Sequence, residues 1–507
     1  MNSSVPSPAL PLEPDSAVAS PGLATRLFKG SSIYAAANFA TKAINFALLP
    51  VYTRFLAPRD YGVVGLAESA AAAFAVLVGL GLDSALPRFY FQYCDDSVQV
   101  KRYVGNLFRF AVGYALLLLA GALLLGPRLL STVAPRFDVA FFPFLALAFS
   151  TAALNVIVQY PLGLYQVQEK ARSFAALSLF SVGLTVAFTV VLVVVMRGGA
   201  AGMLGGKTAA AVVTAMVSIW LLRGRLGVAW SWEPVRESLP FSLPLVPHSL
   251  LALALVVADR FILQRYRSLD EIGLYTVAYA VGMVMYVFTS STLQAFSPIF
   301  FDTARQGDSQ REVLGRSASG LFLFWAWIGA IGCFIAQDTM RLLGHNYWAA
   351  GPVIPWIIGG YLLHGMFSLF QFSAMQSKRT HFILIASLLA CAANIALNFW
   401  WAPRYGMYGA AYATTAAYGL EAVVMYVCAQ RLFPIRYRLS QVGGGILIFT
   451  TALVLTQMRW PEAVRPWLML GGLLLVSGVV FTLGGGSVLR MAQAAVSRRQ
   501  PDPSGLP

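Results

Sequence analysis

Charged residues are scarce in this sequence: they make up 11% of its 507 residues, less than half of the roughly 25% found in an ordinary soluble domain. This scarcity excludes a water-soluble globular protein. Cysteine is scarce as well, and the four that occur show neither a CxxC pair nor a regular spacing. The four histidines are equally scattered. The sequence therefore predicts neither a disulfide scaffold nor a metal site, and no cofactor is expected.

Apolar residues, in contrast, are abundant and make up 58% of the chain. They form blocks of about 17 to 25 residues, each long enough to cross the roughly 30 Å hydrocarbon layer as a helix. We predict an all-α polytopic membrane protein with about 14 transmembrane helices. The predicted spans are 31–53, 61–86, 103–125, 139–164, 173–195, 203–223, 240–263, 273–300, 314–336, 350–375, 381–402, 409–432, 442–458 and 467–486.

The segments between the predicted spans are short, and the longest runs from about 223 to 240. They leave no room for an extramembrane catalytic or nucleotide-binding domain, so the protein is not expected to be an enzyme. The segment GGKT at 205–208 ends like a phosphate-binding P-loop, but Ala201 stands where that motif needs its first glycine. Lys207 of this segment is expected at the outer rim of the sixth span.

Positive charges divide unequally between the two sides of the predicted membrane. With a cytoplasmic N-terminus, 21 Lys and Arg residues fall in cytoplasmic segments and 11 in the opposite segments, as counted along the sequence. This positive-inside bias predicts that both termini are cytoplasmic. Much of the net charge of +15 is then a topology signal, and binding to nucleic acid is not expected. Because the first residues lack a basic region and an apolar region, the first membrane helix is expected to act as the targeting element.

Two pairs of similar segments indicate an internal repeat. Residues 54–69 align without gaps on 265–280 and match Gly62 with Gly273, an offset of 211 (273 minus 62). A second pair, MLGGKTA and MYGAAYA, lies near the other end of each half at an offset of 204 (407 minus 203). Six spans separate the equivalents, so the halves share one orientation. We predict two parallel six-helix lobes around a central cavity, the arrangement of transporters that rock two lobes about one site.

The repeat and the chain ends give a predicted domain organisation. The boundaries are a disordered cytoplasmic tail at 1–24, an N-terminal six-helix lobe at 25–223, a C-terminal six-helix lobe at 240–432, two additional membrane helices at 433–486 and a cytoplasmic tail at 487–507.

Four segments, taken in order, resemble one transporter family. They are LFKGSSIYAAANFATKAINFALLPVYTRFLAPRDYGVVGL, GLDSALPRFYFQY, ADRFILQRYRSLDEIGLYTVAYA and the run APRYGMYGAAYATTAAY. From about residue 25 to 432 the chain is similar to the polysaccharide-export flippases, the Wzx-type O-antigen and lipid-linked oligosaccharide translocases of the multidrug/oligosaccharidyl-lipid/polysaccharide exporter superfamily. Many members of that branch look to have twelve spans, while fourteen is more usual in the lipid II flippase branch of the same superfamily.

The resemblance implies a function. The protein is expected to flip an undecaprenyl-diphosphate-linked oligosaccharide, a repeat unit of O-antigen, capsule or exopolysaccharide, from the cytoplasmic to the outer leaflet of a bacterial inner membrane by alternating access. The implied partners are this lipid-linked glycan, the lipid bilayer, H⁺ or Na⁺, and the polysaccharide polymerase machinery.

A diphosphate headgroup would need a wet, cationic cavity that opens sideways to the bilayer. The first span has a polar stripe at helical spacing, with Lys42 as its only charge near the middle of the membrane and Asn38 and Asn45 about one turn to either side. A lysine at that depth costs about 2.5 to 3.5 kcal/mol on insertion scales. We therefore expect Lys42 to bind the diphosphate. The alternative is a structural ion pair, for which Glu68 is the nearest carboxylate by predicted depth.

Other polar residues are candidates for substrate binding. Tyr275 and Tyr279 share a face of the eighth span with Tyr286, and a tyrosine offers a sugar both a flat ring and a hydroxyl; helix packing is the alternative. Arg260 is expected near the outer end of the seventh span, in a substrate or gate role or in a local ion pair. Arg109, near the inner end of the third span, is expected to meet the diphosphate or to anchor the helix at the interface.

Acidic and amide residues inside the spans complete the predicted site. Glu421 is predicted near mid-membrane as a candidate for coupling to H⁺ or Na⁺, with charge balance as the alternative, and Glu68 is a second acidic candidate. Interhelical hydrogen bonds are expected for two amide pairs spaced by one helical turn, Asn155 with Gln159 and Asn394 with Asn398.

Three rival functions were weighed against the flippase. A membrane polysaccharide polymerase or ligase needs catalytic residues in substantial outer loops, which this chain lacks. A small-molecule or cation antiporter of the same superfamily would favour acidic cavity residues, and Lys42 argues against it. A lipid II-type flippase is a further alternative within the superfamily.

Overall fold

The computed structural model describes residues 21–93, 95–226, 229–307, 310–458 and 469–483, together with positions 460, 461, 464 and 467. Most of the predicted N-terminal tail and all of the predicted C-terminal tail at 487–507 lie outside the described residues. Within the described part every regular element is a helix. The predicted all-α class is therefore confirmed.

The helices are numbered in chain order. They are α1 (Pro21–Ala47), α2 (Leu49–Phe55), α3 (Pro58–Gly79), α4 (Leu82–Tyr93), α5 (Ser97–Val133), α6 (Ala146–Val167), α7 (Ala171–Val190), α8 (Gly199–Leu226), α9 (Glu233–Ser242), α10 (Leu245–Gln264), α11 (Leu269–Gly282), α12 (Val284–Arg305), α13 (Arg311–Arg341), α14 (Ile354–Gln376), α15 (His381–Tyr405), α16 (Met407–Leu432), α17 (Leu439–Gln457) and α18 (Met469–Leu483).

Eleven helical segments of the described residues are long and apolar enough to cross a membrane. Three further helices, α1, α16 and α18, occupy the remaining positions of the predicted pattern of spans. The multi-span architecture is confirmed, and the count of fourteen stays a prediction.

Several of the predicted spans are interrupted, and two of these interruptions have a clear cause in the backbone. Between α1 and α2 the chain turns at Leu48, ahead of Pro50, whose missing N–H and fixed φ favour the start of a new helix. The second span is divided into α3 and α4 by Leu80 and Gly81, whose φ values are 49° and 67°. A side chain at Gly81 would also lie 2.9 Å from the carbonyl oxygen of Ser242. Transporters commonly place their substrate sites at such discontinuous helices.

The two lobes meet where α3 crosses α11. A Cβ atom at Gly62 would overlap the carbonyl oxygen of Leu269, and one at Gly273 would overlap that of Pro58. Leu269 follows Pro58 by 211 residues (269 minus 58), the offset that also relates the two glycines. The two contacts are therefore copies of each other, as expected when parallel repeats are related by a two-fold axis.

In each lobe a carboxylate at the start of the second span holds the start of the sixth. Asp60 accepts a hydrogen bond from the backbone N–H of Ala200 at 3.2 Å, and Glu271 accepts one from Met407 at 2.7 Å. Glu271 follows Asp60 by the repeat offset of 211 (271 minus 60). A glycine with φ of 56° stands at the beginning of both sixth spans. The repeat seen in the sequence thus extends to the hydrogen bonds that join helices within a lobe.

Further hydrogen bonds join the lobes near the same end. The backbone N–H of Gly344 donates to Thr53 Oγ1 at 3.1 Å, and the Tyr347 hydroxyl donates to the carbonyl oxygen of Leu56 at 2.9 Å. These residues lie in or beside segments that the charge pattern assigns to the outer side. On that assignment the structure is closed toward the outside.

The connection between the lobes is itself docked on the N-terminal lobe. Helix α9 places Glu237 where it accepts a hydrogen bond from the Tyr93 hydroxyl at 2.5 Å, and the hydroxyls of Ser238 and Tyr103 are 2.8 Å apart. The last two helices pack on α13, where the Trp327 indole N–H donates to Ser477 Oγ at 3.1 Å. Both of these helices therefore pack against the C-terminal lobe.

Candidate functional site

A cavity of about 960 Å³ lies inside the N-terminal lobe. Its walls come from α1, α3, α4, α6, α7 and α8, and α10 reaches its margin with Val246 and Ser249. The break between α3 and α4 faces this cavity through Gly81 and Asp83. Ligand pockets in proteins usually measure about 300 to 1,000 Å³, so this one is large enough for a ligand of several rings.

Amide and hydroxyl side chains line much of the cavity; examples are Asn38, Thr41, Thr151, Asn155, Gln159 and Gln166. Asn155 and Gln159 are exposed, and neither makes a hydrogen bond with another described residue. The predicted interhelical hydrogen bonds of this pair are therefore wrong, because the face of α6 that carries the pair borders the cavity and not another helix. For the other pair the prediction is confirmed, since Asn394 Nδ2 of α15 donates to Thr414 Oγ1 of α16 at 3.3 Å.

Three charged side chains lie in the cavity wall. Lys207 of α8 forms an ion pair with Glu68 of α3, while Asp83 makes no ion pair with any described residue. One lysine against two carboxylates leaves a formal balance of −1. The predicted alternative that pairs Glu68 with Lys42 is wrong, and so is the placement of Lys207 at the outer rim. Depth estimated from span boundaries does not reveal which neighbouring helix a residue faces.

Lys42 is exposed at the boundary between the lobes. Its ammonium nitrogen lies 5.8 Å from the centroid of the Tyr286 ring on α12, and no described carboxylate pairs with it. Asn38, one turn earlier on α1, lines the cavity, whereas Asn45 is exposed and does not. Helix α1 therefore presents amides and hydroxyls to the cavity and its one mid-helix cation to the C-terminal lobe.

Arg109 lies apart from these residues. Its Nε donates to the carbonyl oxygen of Gly105 in its own helix at 3.3 Å, and it is not part of the cavity wall. The structure does not bring Arg109 together with Lys42.

A second polar cluster is buried in the C-terminal lobe. Asp259 has no exposed surface, accepts a hydrogen bond from the Tyr275 hydroxyl at 2.6 Å, and lies 3.6 Å from the Arg260 guanidinium. That guanidinium lies 4.5 Å from the centroid of the Tyr279 ring. The structure thus brings three predicted substrate residues together with one another, but inside the lobe and away from the open cavity.

Glu421 is the centre of a third polar group, on α16. It is 1% exposed; Ser387 Oγ donates to its Oε1 at 2.8 Å, and His364 Nδ1 lies 3.3 Å from its Oε2. His364 looked like an isolated histidine in the sequence. No spacing rule could have revealed the pair, because the two residues lie on different helices and 57 positions apart (421 minus 364).

A row of aromatic rings connects these groups. The ring centroids of Tyr279 and Tyr361 are 5.7 Å apart, and those of Tyr361 and Tyr286 are 5.5 Å apart. The centroid of the His364 ring lies 6.0 Å from that of Tyr286, and the ammonium of Lys42 lies over the same Tyr286 ring. One residue of the row, Tyr286, therefore contacts both Lys42 and the histidine beside Glu421.

Two lobes related by a repeat, discontinuous helices, and a polar cavity among membrane-spanning segments define a class: this is a multi-pass, two-lobed membrane protein of the transporter type. The chain belongs to the polysaccharide biosynthesis protein family, whose model matches residues 27–304. The family relationship predicted from the four sequence segments is thereby confirmed.

Two proteins of Haemophilus influenzae have sequences similar to this chain. A Lsg locus protein of Haemophilus influenzae is 24% identical over 334 residues, which cover 64% of this chain and 78% of that protein. An uncharacterized membrane protein of the same organism is 22% identical over 299 residues, 57% of this chain and 69% of that protein.

Two solved structures share the fold. The lipid II flippase MurJ in an inward closed conformation superposes with a TM-score of 0.67 at 11% identity and covers 89% of this chain and 98% of its own. An inward-facing multidrug resistance MATE family transporter of the MOP superfamily superposes with a TM-score of 0.58 at 13% identity. The match covers 77% of this chain and 94% of that transporter. At these identities the likeness establishes the fold alone.

Proposed function

We propose that the protein flips a polyprenyl-diphosphate-linked oligosaccharide from the cytoplasmic to the outer leaflet by alternating access. The observation that carries this proposal is the cavity of about 960 Å³, lined by amides and hydroxyls, with Lys42 on the neighbouring face of α1. Amides and hydroxyls match the hydrogen-bonding groups of sugars, and an unpaired cation matches a diphosphate. Membership of the polysaccharide biosynthesis protein family supports the same substrate class.

Alternating access follows from the two-lobed architecture. The lobes meet through Gly62 and Gly273 at one end, which the charge pattern assigns to the outside. Separation of the lobes there, with closure at the opposite end, would expose the cavity to the outer leaflet while the polyprenyl tail stays in lipid. The process moves a molecule without making or breaking covalent bonds, so the protein acts as a transporter and not as an enzyme.

The membrane potential can drive such a step. A headgroup with a charge of about −2 that moves outward, down an inside-negative potential, releases roughly 4 to 5 kcal/mol per 100 mV. The step therefore needs no nucleotide hydrolysis.

Purified protein in liposomes should equilibrate a fluorescent short-chain polyprenyl-diphosphate oligosaccharide between leaflets without ATP. Quenching of the outer-leaflet probe measures the rate, and an inside-negative potential should accelerate outward movement. Liposomes without protein are the control. Probe that stays in its original leaflet at every potential would contradict the proposed function.

The orientation and location are part of the proposal. We place the protein in the bacterial inner membrane with both termini in the cytoplasm, where O-antigen, capsule or exopolysaccharide units and their polymerase machinery would be its partners. A cysteine introduced at 54–60 or 264–272 should react with an impermeant reagent from outside, and one at residue 20 only after permeabilisation.

Ion coupling at Glu421 is a further part of the proposal. A buried carboxylate that contacts His364 and Ser387 can gain and lose H⁺ or bind Na⁺, and His364 shares Tyr286 with Lys42. Binding of an ion at Glu421 could thereby change the position of Lys42, the residue proposed to bind the diphosphate. Glu68, which is paired with Lys207, is the second candidate.

Glu421→Gln should abolish the dependence of flipping on a proton or sodium gradient and leave the amount of protein in the membrane unchanged, because glutamine keeps the size and hydrogen bonds of the side chain. The flipping rate is measured against imposed gradients of each ion. Glu312→Gln, at an exposed helical ion pair with Arg316, is the matched control. A gradient dependence that survives in Glu421→Gln would reduce Glu421 to a structural residue.

A second candidate function, antiport of a small organic cation, is favoured by one observation, the formal balance of −1 in the cavity wall. The cavity's many amides and hydroxyls favour the glycan, and Lys42 on the neighbouring face of α1 favours its diphosphate. In the same liposomes, exchange of an organic cation such as ethidium is therefore not expected.

A further inference from the structure

The charge of the cavity wall does not suit the charged part of the proposed substrate. Among the lining residues Lys207 is neutralised by Glu68, which leaves Asp83 as the net charge. A diphosphate inside this cavity would face that carboxylate and be repelled by it. The unpaired cation, Lys42, lies outside the wall and over Tyr286.

We propose that the cavity of the N-terminal lobe is a glycan subsite, separate from a phosphate subsite at Lys42, and that Asp83 makes it select neutral and N-acetylated sugars over acidic sugars such as uronic acids. This inference depends on the proposed function, since it divides one lipid-linked substrate between two places.

The division follows from the orientation of α1. Asn38 and Thr41 belong to the cavity wall, while the next residue, Lys42, faces the C-terminal lobe. When a diphosphate is bound at Lys42, the sugar attached to it would therefore lie within one helical turn of Asn38 and Thr41, which can bind hydroxyl groups. The polyprenyl chain would leave from the boundary between the lobes, so the glycan would be the part of the substrate that enters the cavity.

A buried hydroxyl in the wall points to a polar ligand. Tyr160 is 5% exposed and lines the cavity, and its hydroxyl has no hydrogen-bond partner among the described residues. A buried polar group without a partner is costly, and a sugar hydroxyl would satisfy it. Tyr160 and Asp83 line the same space, and the exposed carboxylate of Asp83 is a strong acceptor for a sugar hydroxyl.

Asp83 is suited to discriminate between sugars. It stands in the first turn of α4, directly after the break at Gly81, and makes no ion pair with a described residue. A carboxylate accepts hydrogen bonds from neutral sugar hydroxyls, but it repels the carboxylate of a uronic acid. Glu68 contributes little to this selection because Lys207 already balances it.

The test uses two short-chain polyprenyl-diphosphate disaccharides in liposomes. One ends in glucose and the other in glucuronic acid, so that they differ only by a CH₂OH in place of a carboxylate. The wild-type protein should flip the neutral probe about tenfold faster than the acidic one, a ratio that corresponds to about 1.4 kcal/mol.

Asp83→Asn should bring that ratio near one by speeding the acidic probe, while Asp302→Asn, at an exposed position at the end of α12, should leave it unchanged. A second variant, Gly79→Asp, adds a negative charge to the same wall. The position can accept a side chain, because a Cβ at Gly79 would meet nothing within 4 Å. Gly79→Asp should therefore widen the preference for the neutral probe, and Gly79→Asn should not.

The outcomes separate this inference from the proposed function. Movement of neither probe by the wild-type protein would contradict the proposed function itself. Movement of both at equal rates would leave that function standing and overturn the charge selection. A wild-type preference that neither Asp83→Asn nor Gly79→Asp alters would overturn the assignment of the selection to this cavity.

Discussion

Lys42→Ala should reduce flipping at least tenfold while the amount of protein in the membrane stays near normal. Lys42 has no carboxylate partner among the described residues, so its removal leaves no buried charge unpaired. Alanine also keeps the helix propensity of α1. The lost interaction is the attraction between the Lys42 ammonium and the diphosphate.

Four further substitutions define what the Lys42→Ala result means. Lys42→Arg should recover part of the activity because it keeps the charge but changes its shape. Lys101→Ala, at an exposed position near the start of α5, should flip normally. Lys207→Ala should instead lower the membrane level, since Glu68 loses its partner, and Glu68→Gln should restore it. Normal flipping by Lys42→Ala would show that the phosphate subsite is placed wrongly.

Gly273→Val should lower flipping to less than a tenth of the wild-type rate, because a side chain there overlaps the carbonyl oxygen of Pro58. The contact lies between the lobes, so each lobe can still fold, and the protein is expected in the membrane with its outer end open. Thr53, which is 3% exposed and bonded to Gly344 across the same boundary, reports the opening.

The measurement is the reaction of a cysteine at position 53 with an impermeant reagent. The cysteine should react slowly in an otherwise wild-type background and rapidly with Gly273→Val. Gly113→Ala is the matched control, because a side chain at Gly113 would meet nothing within 4 Å. If the Gly273→Val protein flips normally and its cysteine at position 53 stays protected, the α3–α11 crossing can accommodate the larger side chain without opening the lobes, and the prediction is wrong.

The fold could be predicted from the sequence because its strongest signals are long and local. A helix that crosses a membrane must be apolar over most of its length, so each block of apolar residues marks one element. The offset of 211 between Gly62 and Gly273 likewise predicted equivalent positions in two halves (273 minus 62). It could not show that the two glycines face each other, since a repeat gives equivalence and not contact.

The site was less predictable because its groups come from different helices. The helical spacing of α1 identified the polar stripe that contains Lys42. It could not show that Asn38 and Lys42, one turn apart on that stripe, face different lobes. The partner of Glu68 depends on how α3 packs on α8, and the partner of Glu421 on how α14 packs on α16. These packings are set by the shapes of many side chains together, and no local pattern records them.

The crossing of α3 and α11 also has a consequence for how the sequence of this protein can change. Gly62 and Gly273 lie against each other on opposite sides of a two-fold axis, and at each position a side chain would overlap the backbone of the opposite helix. A larger residue at one position would fit only if the opposite surface receded. Among related chains both positions are therefore expected to stay glycine together, although 211 residues separate them (273 minus 62).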